Sequence, residues 1–264
     1  MFPANIWIIF AVALVCCSVG FKNFVWFMSV GYGFAIAGIG VALLVMFLGS
    51  MNIWEILMCA LFIVYGIRLG GFLLYRELKN KNFRNRKDAD KTNEKKIPVF
   101  VKAVMWIAMG FFYMFETSPV FYRLNNGVHG GIAEIIGVVI MAVAVLIESI
   151  SDRQKSAAKA KRPNRFCDSG LFRIVRCPNY FGEILFWVGC FVSGIGAVKG
   201  TQWIIAVLGL ILIIYVMLSG AKRLETRHEK NYGNDPEYRA YAKKTPLVFP
   251  LIPIYSLKDV GFIK

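Results

Sequence analysis

The sequence predicts an all-α, polytopic membrane protein, a bundle of about seven transmembrane helices with its N-terminus outside and its C-terminus in the cytoplasm. Three observations predict this. The 264 residues are 57% hydrophobic with a mean hydropathy of +0.56, more apolar than one water-soluble domain. Stretches of roughly 20 residues almost free of charge recur, the length a helix needs to cross hydrocarbon about 30 Å thick. Charge is also segregated: residues 76–96, 151–176 and 222–264 together hold 26 Lys/Arg and 11 Asp/Glu, and so carry the entire net charge of +15.

The spans read in order. Residues 5–21 form the first; residues 1–5 carry no basic side chain, so this reads as a retained helix rather than a signal peptide. The others fall at 24–48, 54–75, 99–121, 129–149, 180–198 and 202–221. With seven spans the three basic segments follow the third, fifth and seventh. They then share one side of the membrane, which the excess of Lys and Arg makes cytoplasmic. Residues 76–96 read as a flexible cytoplasmic loop. Arg153, Lys155, Lys159, Lys161, Arg162 and Arg165 read as cations grouped in a second loop. Gly31, Gly33, Gly38 and Gly40 allow close helix contact in the second span. The whole of 1–264 reads as one membrane domain.

Six cysteines show no Cys-x-x-Cys pair and only two histidines exist, so no metal is assigned and no disulfide framework is indicated. The partners to expect are the lipid bilayer and a lipophilic small molecule, with no nucleic acid.

The chemistry concentrates near residue 180. Pro178 sits in the first turn of the sixth span, where its missing N–H costs nothing. Asn179 and Glu183 then share one helix face at the membrane boundary. Glu183 lies about one turn inside an apolar helix, where an ionisable group is costly and by default functional. The tail continues the seventh span past Arg223 to Glu225, Arg227 and His228. Pro246, Pro250 and Pro253, spaced among apolar residues, fit an extended segment returning to the membrane surface, not another span.

From Gly170 through Leu-Phe-Arg-Ile-Val-Arg-Cys-Pro-Asn-Tyr-Phe-Gly to Glu183 the chain resembles the steroid 5-alpha-reductase-like membrane proteins, and within them a poorly characterised bacterial branch. The resemblance extends from Asp152 to Phe249, and more faintly to Tyr65-Gly-Ile-Arg-Leu. It implies a C-terminal region, 150–264, that binds NADPH in a cytoplasm-facing pocket, and N-terminal spans, 1–121, that shape a substrate pocket. The implied function is reduction of a carbon–carbon double bond in a steroid-like or other lipid by hydride transfer.

By position the resemblance assigns Tyr65 and Glu183 to catalysis. It assigns Arg165, Arg173, Arg176, Asn179, Tyr180, Glu183, Glu225, His228 and Arg239 to the cofactor. Cys177 stands where the bacterial pattern has histidine, and the catalytic glutamate of the steroid enzymes has no counterpart, Glu55 being displaced. Hydride addition to an enone builds charge on oxygen, which a buried phenol stabilises; Tyr65 is that candidate. No Gly-x-Gly-x-x-Gly follows a strand, so a Rossmann site is not expected.

The alternative is an S-adenosylmethionine-dependent methyltransferase of the isoprenylcysteine carboxyl type, which shares the C-terminal architecture. Glu225, Tyr232-Gly233 and Tyr238-x-x-Tyr241 echo its tail. A second alternative is a non-enzymatic membrane protein or transporter, for which no internal repeat speaks. The membrane is a bacterial inner membrane, or the endoplasmic reticulum in a eukaryote.

Overall fold

The computed structural model describes residues 2–79 and 97–263, apart from the side chains of residues 77 and 79. Their regular structure is helical: α1 (Ile6–Cys17), α2 (Val30–Phe47), α3 (Ile53–Lys79), α4 (Val99–Asn125), α5 (Ile132–Lys161), α6 (Pro178–Ser193), α7 (Gln202–Tyr232) and α8 (Pro236–Lys244), with short 3₁₀ turns between. No strand occurs among the described residues. The predicted loop at 76–96 falls, from residue 80 onward, outside them.

Five segments are long and apolar enough to cross a bilayer: Phe24–Ser50, Ile53–Arg76, Val99–Asn125, Ile132–Lys161 and Gln202–Tyr232. They make this a multi-pass membrane protein. The first and sixth predicted spans are shorter helices. Ile6–Phe21 is apolar but short, and α6 has 16 residues, about 24 Å of helix. Side chains such as Val45, 80% exposed, and Val99, 75% exposed, point away from the protein along these helices, as lipid contact requires.

One expectation is corrected. The cations from Arg153 to Lys161 do not share a loop, because α5 runs on to Lys161. Residues 154–161, rich in Ala and Lys, are good helix formers once the chain leaves hydrocarbon. Only Arg162 and Arg165 lie beyond the helix.

The chain divides into two units. The first holds Met1–Val138 with Cys190–Leu210, and the second Val139–Gly189 with Ile211–Lys264. In the first, the α2 glycines serve two helices. A Cβ on Gly33 would lie 2.5 Å from the Gly70 nitrogen, and one on Gly40 2.8 Å from the Cys59 oxygen, both on α3. Gly31 and Gly38 abut Cys17 and Cys16 of α1 instead. The small residues of this span therefore pack within the chain.

Several polar groups in the first unit are paired. Asn52 caps α3 by accepting from the N–H groups of Trp54 and Glu55 at 2.8 and 3.0 Å, while Glu55 accepts from the Asn52 N–H at 2.9 Å. This reciprocal arrangement satisfies helix-end donors. Fully buried Glu55 also meets His129 Nδ1 at 2.9 Å. Arg123 donates to the carbonyls of Ser193, Val128, Gly130 and Ile195 and lies 3.8 Å from Glu134. Pro119 leaves the Phe115 carbonyl without its helical donor, and Ser118 Oγ fills the gap at 2.8 Å.

Candidate functional site

The second unit carries most of the predicted site residues. Its loop from Arg165 to Cys177 is fixed at three levels. Gly170 takes φ +60°, a left-handed conformation that favours glycine, and a Cβ there would strike the Gln154 side chain at 2.3 Å. Gln154 Oε1 accepts the Leu171 N–H at 2.9 Å. The N–H groups of Arg176 and Cys177 donate to the carbonyls of Pro246 and Leu247 at 2.8 and 2.9 Å. The tail is thereby hydrogen-bonded to the chain entering α6.

α6 opens on Pro178, so Asn179 lies in its first turn and Glu183 one turn on. Gly182 admits the Glu148 side chain of α5, whose Cγ would be 2.6 Å from a Cβ. Glu183 is 5% exposed and accepts the Trp187 indole N–H at 3.3 Å. The Tyr180 ring packs over Gly220 of α7.

Several buried polar atoms of this unit make no hydrogen bond, among them Asn179 Oδ1, Arg176 Nε and the Tyr238 hydroxyl. Arg176 is otherwise engaged, its Nη2 donating to the Tyr255 carbonyl and meeting Glu225 Oε1 at 3.5 Å. Glu225 Oε2 accepts the Leu257 N–H at 3.0 Å. The Tyr238 hydroxyl adjoins the Arg176 guanidinium off hydrogen-bonding geometry.

Aromatic rings and cations surround this group. Phe166 packs against Tyr232, Tyr238 and Tyr241 with centroids 6.0, 5.3 and 5.2 Å apart. His228 lies against Tyr232 and Tyr238 at 5.7 and 6.3 Å. Lys155, Arg227, Lys159 and Arg176 all act electrostatically on its imidazole. Lys159 is itself held, donating to the Pro163 and Arg165 carbonyls and the Tyr232 hydroxyl.

Burial pushes the Tyr238 and Tyr241 hydroxyls above their usual range, so both remain protonated; the Tyr241 hydroxyl donates a hydrogen bond to the Phe172 carbonyl at 2.6 Å. Burial likewise pushes the Cys177 thiol up to about 12. It stays a thiol at neutral pH, the less reactive form. Among the described residues no group of three His, Cys, Asp or Glu side chains is placed to hold a metal ion.

The predicted site residues thus separate. Arg176, Glu225 and His228 come together around Tyr238, and Asn179 and Glu183 share the start of α6. Arg165 is committed to Glu237 and, at 2.9 Å, to Asp168. Arg239 donates to the Gly233 carbonyl, and Arg173 is exposed. Tyr65 belongs to the first unit, fully buried, with its hydroxyl 2.9 Å from that of Tyr32. Sequence reasoning gave Tyr238 no place in the cofactor site. Its available signal was the pair Tyr238-x-x-Tyr241 behind Asp235, which caps α8 by accepting the Glu237 N–H at 2.9 Å.

A family model described as "Protein of unknown function (DUF1295)" matches residues 9–245. No curated protein and no solved structure matches the chain.

Proposed function

The chain belongs to the DUF1295 family, and from that premise we propose that it is a membrane-embedded, NADPH-dependent oxidoreductase that reduces a carbon–carbon double bond in a steroid-like or other lipid. In this reading the protein is steroid 5-alpha-reductase-like, crosses the membrane seven times and keeps its C-terminal region in the cytoplasm. The membrane is a bacterial inner membrane or the endoplasmic reticulum.

The observation that carries the proposal is a group of buried polar atoms in the second unit that make no hydrogen bond, among them the acceptor Asn179 Oδ1 and the donors Arg176 Nε and Tyr238 hydroxyl. Each unmade bond costs about 1–3 kcal/mol, so their presence together favours a bound ligand that completes them. An open acceptor together with open donors suits a ligand carrying both an amide and oxyanions. The cations around His228 add the charge that a dinucleotide phosphate needs. These residues fit NADPH: Asn179 would take an N–H of the carboxamide, and Arg176, Lys155 and Arg227 would supply positive charge for the phosphates. Bound NADPH supplies hydride. The protein's part is to orient it and exclude water; Tyr65 is the candidate proton donor that the resemblance implies.

The methyltransferase reading retains one supporting observation. Glu225, at the position where those enzymes have glutamate, is buried and fully engaged between Arg176 and Leu257. Cys177 in place of histidine and the Asn179…Glu183 pair favour the reductase.

Titrating the detergent-purified protein with NADPH, NADH and S-adenosylmethionine, and following thermal unfolding, separates the readings, because a ligand of the native state raises apparent stability. Stabilisation by NADPH is expected; stabilisation by S-adenosylmethionine alone would overturn the proposal. A second expectation concerns Tyr65→Phe, which removes the hydroxyl bonded to Tyr32. Turnover should fall about a hundredfold with the NADPH-induced stabilisation unchanged, and undiminished turnover would release Tyr65 from the role of proton donor.

A further inference from the structure

The last segment of the chain, residues 245–263, has no α-helix and yet is firmly held. Leu247, Val248, Leu257 and Ile263 are buried in the core of the second unit, with Phe249, Ile254 and Val260 packed against it. Polar latches run along its length. The Tyr255 carbonyl accepts from Arg176, and the Leu257 N–H donates to Glu225. The carbonyls of Val260 and Ile263 accept from Lys222 Nζ at 3.0 and 2.8 Å, and Lys258 pairs with Glu229 at 3.1 Å.

The other side of this strap is anomalous for a segment in water. Leu251 is 94% exposed, Phe262 76%, Ile252 48% and Tyr255 41%. Large apolar side chains held outward by an ordered backbone mark a surface that is covered by something. We infer that the strap is an interfacial anchor, which inserts Leu251, Ile252, Tyr255 and Phe262 into the headgroup–acyl boundary of the bilayer that the helices cross.

Continuity with the lipid-facing surface identifies the occupant. Lys222, on which the strap's end is latched, lies two turns beyond Tyr215 on α7. Tyr215 is exposed together with Ile211 and Leu212 on the apolar stretch of a membrane-crossing helix. The strap is therefore tied to the point where this helix emerges from hydrocarbon. Its composition also sets the depth. Tyr255 and Lys258 are side chains that favour the interface. Pro250 and Pro253, in a segment without helical hydrogen bonds, keep the backbone out of the hydrocarbon centre, where its carbonyls would go unsatisfied. Because the same strap engages Arg176 and Glu225, membrane contact and the polar site share one element; the anchor itself does not depend on which cofactor binds.

Nitroxide labels on Leu251→Cys and Phe262→Cys, with Ser256→Cys and Asp259→Cys as references, test this in the full chain. A Cys16→Ala background removes the most accessible native thiol. In nanodiscs of phosphatidylcholine and phosphatidylglycerol, labels at 251 and 262 are expected to be several-fold more accessible to oxygen than to a water-soluble nickel chelate, relative to the references. Equal ratios at all four sites, exclusion of both reagents at 251 and 262, or spin–spin broadening there would each overturn the inference. These outcomes mean water, a covering protein or a second copy of the chain, respectively. Leu251→Trp, read by quenching from bromines at successive acyl depths, gives the same discrimination without a label.

Discussion

Glu183→Gln is expected to lower NADPH-dependent turnover by about a hundredfold or more, the usual scale for removing a group that handles protons or developing charge. The substitution is nearly isosteric, and the Trp187 indole that donates to Glu183 Oε1 can donate equally to an amide oxygen. Local packing should therefore survive. What disappears is a carboxylate that is 5% exposed on an otherwise apolar helix, a placement that costs stability and is retained for function more often than for folding. Three measurements on one preparation decide the matter: turnover, the thermal midpoint, and the NADPH-induced shift in that midpoint. Lost turnover with an unchanged midpoint places Glu183 in the chemistry. A collapsed midpoint would make it a structural residue, and full turnover would remove it from the site.

The sequence made the helices legible because each long apolar run is a local signal. Pro178, Asn179 and Glu183 were legible for the same reason, since spacing on one helix needs no tertiary knowledge. The extent of α5 is not legible from the apolar run, which gives way to charge from Asp152 onward, because helix propensity does not stop there and carries the chain to Lys161. The partners of Arg176 lay out of reach for a different reason. Glu225 and Tyr255 follow it by 49 and 79 residues, respectively, and nothing periodic in the sequence connects them. Tyr238 was hidden likewise. It sits in a nine-residue helix whose packing against Phe166 and His228 is a product of the tail folding back. The apolar residues of the tail pointed to the membrane surface, but which of them turn inward is set by the latches on Lys222 and Glu225, which only the fold reveals.

The largest effect on stability is expected from Gly66→Ala, with Gly71→Ala in the same helix as its control. A Cβ on Gly66 would lie 2.2 Å from the Gly33 carbonyl oxygen and 2.6 Å from the Ala37 nitrogen. Both are backbone atoms of α2, so no rotamer change relieves the clash and the two helices must separate. Overpacking of this kind costs about 1–3 kcal/mol, occasionally more, and the upper end is expected here because backbone meets backbone. A Cβ on Gly71 meets nothing within 4 Å, so Gly71→Ala should cost nothing and gains what alanine gains over glycine in a helix. Detergent unfolding of both variants measures the contrast, and equal midpoints would remove the close α2–α3 approach from the account of stability. The same contact has a functional consequence. Tyr32 and Tyr65 are the chain neighbours of Gly33 and Gly66, and their hydroxyls meet at 2.9 Å because the glycines let the helices come together. Separating the helices parts that hydroxyl pair, so Gly66→Ala should also depress any turnover that depends on Tyr65, whereas Gly71→Ala should leave it intact.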